Sequence, residues 1–92
     1  MELLVSIAQV FPLAERNYTD RNGVQQVFAS RGMILDNGLD RFYAEAVGDN
    51  ARSLQVQAGE SRMVSVQLNA RPFTDKNGVT RYDNEIRVNR IG

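Results

Sequence analysis

Apolar and polar residues alternate along most of the chain, the two-residue period of strands that bury one face. Leu3, Val5 and Ile7 fall on one face of a strand predicted over Glu2 to Phe11. A second strand is predicted over Val24 to Leu35 and a third over Leu39 to Val47. In the third, Phe42, Ala44 and Ala46 point to the core, and Arg41, Tyr43, Glu45 and Val47 point outward. Asp36-Asn37-Gly38 reads as a tight turn, because Asn-Gly tolerates the positive φ that such turns need. Ser61 to Phe73, with Val64, Val66, Leu68 and Ala70 on one face, and Thr80 to Ile91, with Ile86 and Val88 inward, complete five strands. Phe11, Phe28 and Phe42 are assigned to the core or to packing at strand ends.

The period changes once. Over Asp49 to Ala58 the pattern predicts a short helix, with Ala51, Leu54 and Ala58 on one face. Asp49 is placed as its N-cap and Gly59 as its stop. Three strands, a helix and two strands over residues 1–92 predict one all-β domain, a five-stranded OB-fold barrel with its helix between strands 3 and 4. An SH3-like barrel or a small sandwich accounts less simply for that helix. OB folds bind ligands on the strand 2–3 face and on the loops joining strands 1–2 and 4–5.

One internal repeat falls on those loops. Tyr18-Thr19-Asp20-Arg21-Asn22-Gly23-Val24 matches Phe73-Thr74-Asp75-Lys76-Asn77-Gly78-Val79, position by position. Hairpin-turn chemistry accounts for the Asp, Asn and Gly. It requires neither the aromatic residue before the turn nor the cation at its tip. A ring at the loop base and a charge at its tip suit a base and a phosphate.

Composition narrows the chemistry. Cysteine and histidine are absent, which excludes disulfides, Cys/His zinc sites and nucleophilic catalysis by Cys–His or Ser–His pairs. No carboxylate pair stands out at a spacing that implies a site, so the reading is not an enzyme, with no cofactor and no metal. No apolar run is long enough to span a membrane and no signal-peptide pattern opens the chain, so a cytoplasmic location without membrane contact is expected. Net charge is zero, with 11 basic and 11 acidic residues, so any attraction for nucleic acid must come from local arrangement. Ten of the 11 basic residues are Arg, whose flat guanidinium can fork onto phosphate and stack on a base. Arg71 to Arg90 holds five basic and three acidic residues, a small local excess.

The segment from Ala58 to Ile91 resembles the bacterial single-stranded DNA-binding protein family. The resemblance rests on Ala58-Gly59-Glu60, on Val64 to Leu68, on Arg71-Pro72-Phe73-Thr74-Asp75-Lys76-Asn77-Gly78-Val79-Thr80-Arg81-Tyr82, and on Glu85-Ile86-Arg87-Val88. It implies that Phe73 stands where the family usually has a base-stacking Trp, and that Tyr82 stands on the family's Tyr after the loop. Arg41 and Val47 stand roughly where the family has further stacking aromatics, with Tyr43 as a substitute. Tyr82 shares parity with Ile86 and Val88, which points it inward, so core packing and base contact both stay open. The chain has no Trp, and it ends at Gly92 before any linker or acidic tail, the layout of a tail-less relative of the primosomal kind.

The function expected is sequence-tolerant binding of single-stranded DNA, or RNA, in replication, recombination or repair. Tyr18, Tyr43, Phe73 and Tyr82 would stack on bases, and Arg21, Arg41, Arg71, Lys76, Arg81 and Arg87 would follow the phosphates. The resemblance also implies a homodimer built on the first strand, or a homotetramer, with Ser6 and Ala8 outward. The alternative is a protein-interaction or structural module, in primosome or mobile-element assembly, that binds nucleic acid weakly or not at all. Neutral net charge and the missing aromatics favour that alternative.

Overall fold

The alternating rows become strands because each gives the core one apolar face. A computed structural model describes residues 1–92. The elements are β1 (Glu2–Val10), β2 (Ala14–Thr19), β3 (Gln25–Asp36), β4 (Arg41–Val47), a short helix α1 (Asp49–Arg52), β5 (Ser61–Thr74) and β6 (Thr80–Ile91). All six strands join one mixed sheet in the order β1-β5-β6-β4-β3-β2, and a further β1–β3 pairing closes a ring of hydrogen bonds through five of them. β2 lies outside the ring and pairs with β3. Every pairing is antiparallel except β4–β6, a single parallel bridge between Glu45 and Arg87.

β1 serves two neighbours. Glu2 to Ser6 pair with β5, and Ser6 to Val10 pair with β3. The register slips between Ile7 and Gln9, so Ala8 sits in a bulge, half-buried, instead of in an outward row with Ser6. An extra residue at a bulge bends a strand and increases its twist, which lets β1 turn from one partner to the next.

Val5 and Ile7 of β1, Ala29, Met33 and Leu35 of β3, Ala44 and Ala46 of β4, Val64 and Val66 of β5 and Val88 of β6 meet inside the ring, with Ala51 of α1. Phe42, Leu54 and Ile86 pack against them, partly buried. No charged or polar side chain is buried. The core is small for the chain, because β5 and β6 run well past it. Leu68 and Ala70 continue the inward row of Val64 and Val66 but lie exposed beyond the core. The radius of gyration is 15.2 Å, against about 12 Å for a compact chain of this length. No helix is long and apolar enough to cross a membrane.

Two expectations are corrected. The sheet has six strands where five were expected, because Ala14 to Thr19 form β2, exposed along its whole length. A strand that buries nothing shows no apolar alternation, so only the turn after it hinted at its existence. The helix ends at Arg52, six residues short of Ala58. Ser53 is its C-cap, with amide and hydroxyl both donating to the Asp49 carbonyl (2.9 and 2.8 Å). Further on, the Gly59 amide donates to the Ile7 carbonyl and the Ile7 amide to the Glu60 carbonyl, both at 2.7 Å, which ties this stretch to β1. Asp49 makes no side-chain cap; Gly48 holds the N-cap position.

Candidate nucleic-acid interface

The two copies of the repeat fold identically. In the first loop the Gly23 amide donates to the Asp20 carbonyl (3.1 Å), and Asp20 Oδ1 accepts from the Asn22 and Val24 amides (2.9 Å each). In the second, the Gly78 amide donates to the Asp75 carbonyl (3.0 Å), and Asp75 Oδ1 accepts from the Asn77 and Val79 amides (2.9 and 3.0 Å). Gly23 and Gly78 have φ of 76° and 78°, a left-handed conformation costly to any side chain. Asp and Gly therefore make the turn. The aromatics and cations are free of that task.

Each loop tips a hairpin arm, one made by β2 and β3, the other by β5 and β6. Strand register decides which side chains share a face. Tyr18 pairs with Gln26 and Arg16 with Phe28. Further along β3, Gly32 pairs with Glu45 and Ile34 with Tyr43. Glu45 bridges to Arg87, which pairs with Gln67. On the same parity, Asn69 pairs with Glu85, Arg71 with Asp83 and Phe73 with Arg81. All of these lie on the outer face of the sheet. It carries seven of the ten residues expected to bind: Tyr18, Arg41, Tyr43, Arg71, Phe73, Arg81 and Arg87. Arg21 and Lys76 stand at the two loop tips.

Tyr82 is the exception. It pairs with Pro72, on the opposite face, in the row of Leu68 and Ile86. It is 68% exposed, so it is no core residue, and it lies on the face opposite Phe73.

The outer face also holds two aromatics outside the set expected to bind. Phe28 is not in the core; it is half-buried on this face, with the Arg16 guanidinium 5.2 Å from its ring centre. Phe11 packs against Tyr43, with ring centroids 6.1 Å apart. Tyr43 lies across Gly32, where an added Cβ would come within 2.7 Å of the ring's Cε2. Only glycine leaves room for the ring there. The Tyr43 hydroxyl donates to Glu45 Oε2 (3.2 Å). Burial, and secondarily the charge of Glu45, hold the phenol above its ordinary value, so it stays neutral.

Arg41 pairs with Asp36 (2.9 Å), Arg81 with Asp75 (2.8 Å) and Arg87 with Glu85 (2.7 Å). Arg21, Arg71 and Lys76 enter no ion pair, and neither does Arg16. Arg16 could have been found by extending the repeat. It precedes Tyr18 by two residues, as Arg71 precedes Phe73.

The loop aspartates carry a pH dependence. The Arg81 guanidinium, followed by the Val79 amide, holds the Asp75 carboxyl below the usual range. Asp20 is held down first by the Val24 amide. A carboxyl lowered in the native state adds stability that is complete above the ordinary value near 3.9 and is lost as pH falls through the lowered one. In an NMR titration of the carboxyl carbons, both midpoints are expected below the ordinary value. Arg81→Ala should raise the Asp75 midpoint and leave Asp20 in place. An Asp75 midpoint unmoved by that change would remove Arg81 as the cause.

No family model and no curated protein matches the chain.

Proposed function

We propose that this chain is an OB-fold domain that binds single-stranded DNA with little sequence specificity, by base stacking and phosphate contacts. The observation that carries the reading is the shared outer face, on which Tyr18, Phe28, Tyr43 and Phe73 are interleaved with Arg16, Arg71, Arg81 and Arg87. Stacking tolerates any sequence because every base has a π-face. The ring connectivity, with β1 shared by two neighbours, β4 meeting β6 in parallel and a helix following β4, supports the OB assignment. So does the resemblance of residues 58–91 to the bacterial single-stranded DNA-binding proteins. The alternative of a protein-docking module draws on the uncovered inner row of Leu68, Pro72 and Tyr82.

Fluorescence anisotropy with a labelled oligo-dT tests the proposal. Single strands are expected to bind at low salt in preference to duplex. Phe73→Ala should weaken binding by about 1–3 kcal/mol with the fold intact. Absence of binding, or preference for duplex, would leave the docking reading in its place.

A further inference from the structure

Counted from the Glu45·Arg87 bridge, the two arms leave the sheet in opposite directions. Tyr18 lies six residues along one way, because Gly32 is opposite Glu45 and Gln26 is opposite Tyr18. Phe73 lies six residues along the other way, because Gln67 is opposite Arg87 and Arg81 is opposite Phe73. At about 3.3 Å per residue, each arm reaches roughly 20 Å from the bridge. The longest dimension of the molecule is 40 Å.

Charge follows the same division. Each arm presents an aromatic ring, an Arg two residues before it and a cation at the tip: Arg16, Tyr18 and Arg21 on one, Arg71, Phe73 and Lys76 on the other. Of the 11 basic residues, six form ion pairs and Arg31 donates to the Phe11 carbonyl. The four left with no ion pair or side-chain hydrogen bond are these two Arg and two tip cations, at matching positions in the two arms, Arg16 resting over the Phe28 ring. Between the arms the outer face is different. There Glu45 accepts the Tyr43 hydroxyl, and Arg87 is neutralised by Glu85. No cation free of an ion pair stands at this waist.

We infer that the outer face is not one continuous groove but two equivalent half-sites, each taking one short stretch of polynucleotide, with the strand crossing a waist that offers no unpaired cation. The inference rests on the proposed single-strand binding. Half-sites joined by one ligand bind by avidity: a strand long enough to reach both gains affinity with no new kind of contact.

Two measurements test it. The first is the salt dependence of binding for an oligo-dT of about 16 nucleotides, near the upper end of OB-domain site sizes. Each phosphate neutralised on a single strand adds about −0.7 to the slope of log K against log salt. Four free cations thus predict a slope of about −2.8, and Arg16→Ala/Arg21→Ala or Arg71→Ala/Lys76→Ala should each reduce it to about −1.4. The second is native mass spectrometry with an oligo-dT of about 4 nucleotides, near the lower end of those sizes. Two copies per chain are expected, and one in either arm variant. A slope that either double variant leaves intact, or one copy or none of the short oligonucleotide on the wild type, overturns the half-sites while single-strand binding stands. Failure of the wild type to bind the long strand at low salt removes the binding itself.

Discussion

Leu35→Ala is expected to cost about 2–5 kcal/mol of stability, the range for removing a fully buried leucine side chain. Leu35 is wholly inaccessible and lies where the ring closes, opposite Ile7 of β1 and opposite Phe42 of β4. A domain of this length has roughly 5–14 kcal/mol in all, so one substitution removes a large share of it. Only twelve apolar residues are buried, so few neighbours can close over the void. Chemical denaturation should show a lower midpoint with an unchanged slope. Leu68→Ala is the control, since Leu68 continues an inward row yet is exposed past the core. Its effect should stay within about 0.5 kcal/mol. Equal losses at the two positions would contradict the placement of the core.

Tyr18→Ala/Phe73→Ala should weaken binding of a long oligo-dT by about 2–6 kcal/mol, twice the range for one stacked base. That is roughly a thirtyfold to more than ten-thousandfold rise in Kd. The two rings sit on arms that point opposite ways, so their contributions should add. Both are partly exposed, at 47% and 42%, so melting should barely change. Tyr82→Ala, on the other face, should change anisotropy titrations little. A loss from Tyr82→Ala as large as from Phe73→Ala would mean that the strand lies on the inner side of the arm.

Much of this arrangement could be read from the residues. Alternation located the strands that bury a face, and Thr80 to Ile91 came out with its observed limits. The repeat located both loops. What alternation could not reveal was where the core stops. Leu68 and Ala70 follow Val64 and Val66 in perfect phase, and only the length of β5 beyond its β1 partner leaves them uncovered. The same limit misled the reading of Phe28, since an aromatic residue in a strand suggests burial. Its even-numbered row faces out, where Arg16 covers it. β2 was invisible for the converse reason, having no buried side. The helix fell short of Ala58 because the stretch after it is tied to β1, with the Gly59 amide donating to the Ile7 carbonyl and the Ile7 amide to the Glu60 carbonyl.

The parallel meeting of β4 and β6 has a mechanical meaning. Everywhere else around the ring, neighbouring strands share several residue pairs; here they share one, Glu45 with Arg87. The β2–β3 arm belongs to one side of this seam and the β5–β6 arm to the other, with β1 as the second link between them. Of the two junctions that set the distance between the arms, one is thus the least bonded in the sheet. On the proposed binding, any change in the spacing of the two arms would be taken up first at this single bridge between Glu45 and Arg87.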